Sequence, residues 1–443
     1  MIHLGLPAYV GPGAGFAFLG SLLSLVSAVV AGVASVLLWP FRMVWALVRR
    51  PHGTGSRRAV FLGFDGLDPV VTEKMMAEGK LPHLSRMRER GSYHRLRTTF
   101  PALSPVAWST FATGVNPARH GVFDSTPAAQ RRAESFWKIL GRHAVRSTIL
   151  WVPGATTPEA FNGRELAAAP GSMSHPRYYA TYLTKLFNTG SQFSRKEREA
   201  IFFDALAKTR RGVLACVFAA HGQPDTIDAL YRDVDMIVGE ALAHAGDDTA
   251  LFVLSEHGFC ASRRGINLNS WLLREGYLAL KPGGEGIDWA LTRAHARGRS
   301  GVYLNRRGRE ADGLRRELAA RLEGLRDDVT GETAIQSACQ ASDLYHGPYL
   351  NAAPDIVIGF AAGYGPTREC VAGKVAATVF EDSDELLRGE NCADPSLVPG
   401  VLFSNLKITA DSPGIEDMAP TALRLFGVPA PAWMEGRPVV SAA

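Results

Sequence analysis

VFLGFDGLDP (residues 60–69) reads as a buried strand that ends on Asp65, turns at Gly66 and enters a helix at Pro69. Its apolar run has the length of a strand covered on both faces, and an acidic residue at its end stands where an open α/β sheet binds ligands. The same Asp serves equally well as a turn or helix-capping residue, so alone it carries no function. Outward from it, five more short apolar runs lead into polar turns: STILWV (147–152), VLACVF (213–218), ALFVLS (250–255), DIVIGF (355–360) and GVLFS (400–404). Helical patterns lie between them, for example from Pro69 to Gly91 and from Gly313 to Leu325. Strands alternating with helices predict an α/β fold with a mostly parallel central sheet covered by helices on both faces.

The 443 residues carry a net charge of +5, with 21% charged side chains and no basic run interleaved with aromatics, which argues against a nucleic acid polymer as partner. The five cysteines (Cys216, Cys260, Cys339, Cys370, Cys392) are widely spread without a C-x-x-C, so neither a disulfide framework nor a thiolate zinc site is indicated. From Leu4 to Phe41 there is no charged side chain, and Phe16 to Trp39 is long enough for one transmembrane helix. A cleaved signal peptide would want a basic start and a shorter apolar core. Arg42, Arg49, Arg50, Arg57 and Arg58 follow the run and no Lys or Arg precedes it, so the positive-inside rule puts the large domain on the cytoplasmic side of a single-pass protein. The Pro/Gly-rich stretch Pro51 to Gly55 separates a membrane anchor, residues 1–50, from a catalytic domain, residues 55–443. Irregular stretches at about 155–205 and 262–350 read as caps or inserts around its site.

Two further stretches carry chemistry. In RTTFPALSPVAWSTFATGVNPARHGVFD (97–124), Ser104 and Pro105 read as the N-cap and first residue of a helix that ends near Thr113-Gly114. A hydroxyl there faces the positive end of the helix dipole and free backbone amides, a setting that suits an alkoxide and an incoming phosphate. Plain capping explains an isolated Ser-Pro as well. In LFVLSEHGF (251–259), Glu256 and His257 at a strand end supply an oxygen and an imidazole nitrogen, a pair suited to zinc, although a lone Glu-His also fits a surface loop.

Together and in this order, the three stretches resemble the alkaline phosphatase superfamily, in particular its type I phosphodiesterase/nucleotide pyrophosphatase branch. There an Asp-Gly after the first strand binds metal, and a Ser or Thr nine residues before a Thr-Gly is the nucleophile. A Pro-x-x-His-Gly follows it, and a Ser-Asp-His-Gly supplies two more ligands. Here Ser104 stands nine residues before Thr113-Gly114, Pro117-Ala-Arg-His120-Gly121 follows, and SEHG takes the place of SDHG. The likeness runs on through FWKILG, VPGATTPEAFNG, INLNSWLLREGYL, GVYLNRRGRE, APDIVIGF, DPSLVPGVLFSN and MAPTALRLFGVPAPAWMEGRP, covering essentially all of the chain after the apolar start. It implies an alkaline-phosphatase-like sandwich and a metal-dependent phosphohydrolase of phosphodiesterase/nucleotide pyrophosphatase type, acting on a phosphate ester through a phosphoseryl intermediate at Ser104. Asp65, Glu256, His257 and the Ser104 oxygen would hold one ion, Zn2+ or alternatively Mn2+. Backbone amides at the helix start would steady the phosphate oxygens.

The pattern also departs from the family's. A second metal there rests on Asp-x-x-x-His and a C-terminal His. Here the corresponding residues are His221 and Asp225, with the two ligand types exchanged, and Asn391, with Glu390 and Asp394 as nearby carboxylates. Ser125 stands where nucleotide pyrophosphatases keep a phosphate-holding Asn. A sulfatase frame is missing, whereas phosphoethanolamine transferases of the superfamily resemble a one-zinc version of this set. These departures motivate a rival expectation, a weakly active or inactive member binding a phosphate-bearing ligand or partner at the membrane. A membrane scaffold is a third. His120 and His346 read as turn-shaping residues, and Trp108 and Phe111 as core rather than substrate platform.

Overall fold

The computed structural model describes residues 58–124, 131–150, 152–153, 158–166, 174–175, 213–218, 224–284, 286–305, 309–382, 388–390 and 392–441, with backbone alone at 175, 213–218, 224–226, 309–310 and 388–390. The chain divides into Met1–Pro51 and His52–Ala443, and all described residues belong to the second unit.

The strands, in chain order, are β1 (Arg58–Asp65), β2 (Ser92–Leu96), β3 (Ser147–Leu150), β4 (Gly163–Leu166), β5 (Ser174–His175), β6 (Val213–Phe218), β7 (Thr249–Leu254), β8 (Cys260–Ile266), β9 (Ala294–Arg297), β10 (Gly301–Leu304), β11 (Ile335–Gln340), β12 (Ile356–Phe360), β13 (Gly363–Pro366), β14 (Phe380–Asp382), β15 (Arg388–Glu390) and β16 (Gly400–Ser404). Eight of them form the central sheet in the order β2-β16-β7-β1-β6-β3-β4-β5. The run from β7 to β4 is parallel, whereas β16, β2 and β5 add antiparallel edges. A second sheet, β11-β12-β10-β9, is antiparallel throughout, and a third gathers β13, β14 and β15 around β8.

The expected fold class therefore needs correcting: the architecture is mixed α/β with three sheets, two of mixed pairing and one antiparallel, not one mostly parallel sheet. The apolar runs at 355–360 and 400–404 are strands, but β12 belongs to the second sheet and β16 runs against β7. A buried apolar run reports that both faces of a strand are covered; it does not report the strand's direction. Direction follows from where the chain enters. Residues 398–401 arrive beside the carboxyl end of β7, with Gly258 N–H donating to Val398 O at 3.0 Å and Ser255 N–H to Val401 O at 3.1 Å. The strand that starts there can only run back along β7.

The expected transmembrane helix at 16–39, and the anchor 1–50 that contains it, lie outside the described residues. Among the described residues no helix is long and apolar enough to cross a membrane. The 21-residue helix Pro224–His244 has the length, but Asp228, Arg232, Asp233, Asp235 and Glu240 interrupt it. The membrane-spanning fold and the cytoplasmic placement that depends on it are accordingly withdrawn.

Helices pack on both faces of the central sheet. Ala59 and Phe61 of β1 face one core with Trp108, Phe111, Phe136, Trp137, Met418 and Leu423; Leu62 and Phe64 face the other with Met75, Leu84, Tyr231 and Val238. This period-two alternation puts large apolar side chains on each side of the same strand. Phe61 stacks on Phe252 of β7 with ring centroids 4.9 Å apart and meets Phe111 edge-on at 5.9 Å. The strand that carries Asp65 is thus clamped by two cores.

Glu165 on β4 is a buried carboxyl at the far side of the sheet, 1% exposed, accepting the Glu159 amide at 2.7 Å. Burial pushes its pKa up to about 7, with the Glu159 carboxylate adding to the rise and Arg131 opposing it. A carboxyl whose folded-state pKa is raised contributes stability that is present at low pH and lost as pH climbs through the folded value. Between pH 5 and 8.5 the native protein should lose on the order of 3 kcal/mol through this group, because each tenfold difference in proton affinity between folded and unfolded states is worth ~1.4 kcal/mol. Urea unfolding at the two pH values should show that slope in the wild type and a flatter one in Glu165→Gln; equal slopes would refute the assignment.

Candidate active site

The site is assembled at the carboxyl ends of β1 and β7. β1 stops at Asp65, and Gly66 at φ +70° takes the left-handed turn that frees the carboxylate from the strand. Asp68 then caps the helix Pro69–Ala77, accepting the Val70 and Val71 amides at 2.9 and 3.0 Å, while its own N–H donates to Tyr231 Oη at 2.8 Å. Ser255, fully buried, donates through Oγ to Leu67 O at 2.7 Å and accepts the Val401 amide at 3.1 Å. This hydroxyl stitches the turn after β1 to β7 and β16. Gly258 completes the lock, because a Cβ there would lie 2.5 Å from Asp68 Oδ2 and 2.9 Å from Pro399 O. Glu256 and His257 are therefore held on a loop braced on three sides.

Ser104 comes from a different layer. It is the first residue of the helix Ser104–Thr113, with Leu103 at the N-cap position and Gly114 in the left-handed C-cap conformation. The expected capping role of Ser104 is thus incorrect: its Oγ turns away from the helix toward the site, where polar partners outcompete a backbone amide. The expected row of free amides is also smaller. Pro105 has none, and the Val106 and Ala107 N–H groups both donate to Leu103 O at 2.9 Å. The positive end of the dipole remains, without a multi-amide cradle.

These elements bring Asp65, Ser104, Glu256 and His257 together. Ser104 Oγ lies 3.0 Å from His257 Nε2 and 3.4 Å from each Asp65 carboxylate oxygen. His257 Nε2 is 3.4 Å from Glu256 Oε1 and 3.8 Å from Asp65 Oδ1. His257 Nδ1 lies 2.9 Å from Gly258 O, which can only accept, so Nδ1 carries a proton and the neutral ring turns the Nε2 lone pair to the centre.

Glu256 is fully buried, and neither of its oxygens has a hydrogen-bond partner. Burial, and then the Asp65 carboxylate, push its pKa well above the ordinary carboxylic range; its own backbone amide, Ser104 and Trp108 lie near enough to oppose this, but none reaches it with good hydrogen-bond geometry.

Two carboxylates and an imidazole, their ligand atoms all within 4.8 Å of one another, have the composition to hold a metal ion. The spacing fits as well. Ligands at 2.0–2.2 Å around a tetrahedral ion stand about 3.3–3.6 Å apart, and Ser104 Oγ, Glu256 Oε1 and Asp65 Oδ1 lie 3.0, 3.4 and 3.8 Å from His257 Nε2. A buried carboxylate without a partner beside a second carboxylate is what such an ion would compensate.

Of the other expected positions, His221, Asn391 and Ser125, together with the side chains of Asp225 and Glu390, lie outside the described residues. Asp394 is committed elsewhere: its carboxylate accepts Ser337 Oγ–H and both the amide and the hydroxyl of Ser396. His120 is fully buried, 3.0 Å from Thr110 Oγ1, with Nδ1 accepting the Val122 amide at 3.2 Å. Burial and Arg131 push its pKa down to about 3, so it stays neutral and shapes its turn. His346 is exposed and meets Glu435 at 3.1 Å. Trp108 and Phe111 are core. Sequence reasoning missed the bracing residues Ser255, Asp68 and Tyr231. The Asp before Pro69 is a readable helix-capping signal, but the Ser255 contacts span 146 and 188 residues and leave no local trace.

A central sheet sandwiched by helices, with a serine, two carboxylates and a histidine beyond the strand ends, defines a member of the alkaline phosphatase superfamily. The chain belongs to the type I phosphodiesterase / nucleotide pyrophosphatase family, whose model matches residues 59–370. Solved structures share the fold at low identity. Phosphonoacetate hydrolase from Sinorhizobium meliloti, in complex with phosphonoacetate, has 16% identity and a TM-score of 0.56, covering 84% of this chain and 96% of its own. Murine ectonucleotide pyrophosphatase / phosphodiesterase 5, an inactive form in complex with AMP, has 15% identity and a TM-score of 0.54, covering 85% and 96%. Its human counterpart has 14% identity and a TM-score of 0.52, covering 84% and 96%. No curated protein matches the chain.

Proposed function

We propose that this protein is a metal-dependent phosphoric ester hydrolase that works through a phosphoseryl intermediate on Ser104. The observation that carries the reading is the 3.0 Å approach of Ser104 Oγ to His257 Nε2, beside a buried Glu256 carboxylate with no hydrogen-bond partner. Asp65, Glu256, His257 and the Ser104 oxygen would hold one divalent ion, Zn2+ by donor set, with Mn2+ as the alternative. Such an ion, when bound, would lower the pKa of the Ser104 hydroxyl and neutralise charge on the phosphate.

The rest falls to this chain's own groups. Ser104 Oγ attacks phosphorus in line, the new Oγ–P bond forming as the P–O bond to the leaving group breaks. The hydroxyl proton leaves to water, because the lone pair of His257 Nε2, its tautomer set by Gly258 O, would be committed to the ion. The dipole of the helix Ser104–Thr113 favours the negative charge gathered at its start. Water then cleaves the Oγ–P bond and frees the serine. The full-length protein with added zinc or manganese should turn over bis(4-nitrophenyl) phosphate, lose that activity on chelation and regain it when metal is restored. Turnover indifferent to chelator would refute the metal requirement, and no turnover with either ion would refute the enzyme.

A weakly active or inactive member that binds a phosphate-bearing ligand is the second reading. The engagement of Asp394 with Ser337 and Ser396 favours it, because that carboxylate cannot replace a missing second-metal ligand. Saturable binding of inorganic phosphate without turnover would establish it.

A further inference from the structure

Trp108 stands one helical turn beyond Ser104 on the same helix, where residues four apart share a face. The side chain is 1% exposed, and its indole Nε1–H has no hydrogen-bond partner. An orphaned buried N–H is uncommon, because it forfeits its hydration without return. Its near neighbour Glu256 is orphaned as well, with both carboxyl oxygens unpartnered. Trp108 lies near enough to Glu256 to act on its carboxyl group, and neither has another hydrogen-bond partner. The ring itself is fixed edge-on against Phe111, with centroids 5.1 Å apart, so the N–H direction is set by packing.

We infer that Trp108 is a positioning residue for Glu256: when an ion engages one carboxylate oxygen, the indole N–H donates to the other. This rests on the metal-site reading given above. The bond would hold Glu256 in a single orientation and keep the nucleophile and one ligand in register, since Ser104 and Trp108 move as one helical turn. Outer hydrogen-bond partners of metal ligands typically account for about 10–100-fold in metal affinity.

The test isolates the N–H. Site-specific replacement of Trp108 by 3-benzothienylalanine keeps the bicyclic shape and removes the donor, and Trp108→Phe serves as a second variant. Zinc affinity is read by competition with a chromophoric chelator, and the thermal midpoint is read on metal-free protein. The expected result is a zinc affinity about 10–100-fold weaker in the benzothienyl protein, with the metal-free midpoint unchanged. Wild-type zinc affinity in that protein overturns the inference while leaving the metal site standing; so does a lowered metal-free midpoint with zinc affinity intact, which would mark a packing role. If the wild-type protein takes up no zinc, this inference and the metal-site reading fall together.

Discussion

Ser104→Ala should lower turnover of an activated phosphodiester by about 10,000-fold or more, a loss of ~5.5 kcal/mol of transition-state stabilisation. The expectation follows from the geometry, since Ser104 Oγ is the hydroxyl placed against both Asp65 and His257, at 3.4 and 3.0 Å. Removing one oxygen from a half-buried position on an otherwise intact helix leaves Asp65, Glu256 and His257 in place, so zinc binding should persist with modest weakening. Steady-state kinetics beside a metal titration separates the two effects. Turnover that survives in the alanine protein would mean that water attacks directly and that no phosphoseryl forms. Mass spectrometry of wild-type protein quenched during turnover should find phosphate on Ser104.

Glu256→Gln should produce two effects of opposite sign. In metal-free protein the wild-type side chain is fully buried beside Asp65 without a hydrogen-bond partner, a costly arrangement for a carboxylate. A neutral amide of the same shape relieves that cost, so the metal-free variant should be more stable than wild type at pH 8 by about 1–3 kcal/mol. The same change removes an anionic ligand, and zinc affinity should fall at least ~100-fold, with activity falling in step. Urea unfolding in chelator and zinc titration on the same preparation read both numbers. A metal-free variant less stable than wild type would show that Glu256 is there for structure rather than for an ion.

Which parts of this molecule are legible in its residues follows from how local each signal is. Asp65 at the end of a buried run, the helix from Ser104 to Gly114 and the Glu256-His257 pair are short-range patterns, and the structure brings all four side chains within hydrogen-bond or near-contact distance. The family can be read for the same reason, since its spacing is carried within single stretches. Other features depend on distant partners. That β16 runs against β7, that β12 joins another sheet, and that Asp394 is spent on Ser337 are set by where remote segments meet. The hydroxyl of Ser104 looks like a cap in the sequence because only the fold brings Asp65 and His257 to it. The apolar stretch 16–39 suggests a membrane span on length and hydropathy alone, and no described helix meets that standard. By itself, then, the sequence determined which residues are the candidates for the chemistry, because side-chain type and strand or helix period are local properties. Only the tertiary structure decided strand direction, which carboxylates remain uncommitted and how a buried glutamate and a buried indole come to lie close together unpaired, because each depends on contacts between residues tens to hundreds of positions apart.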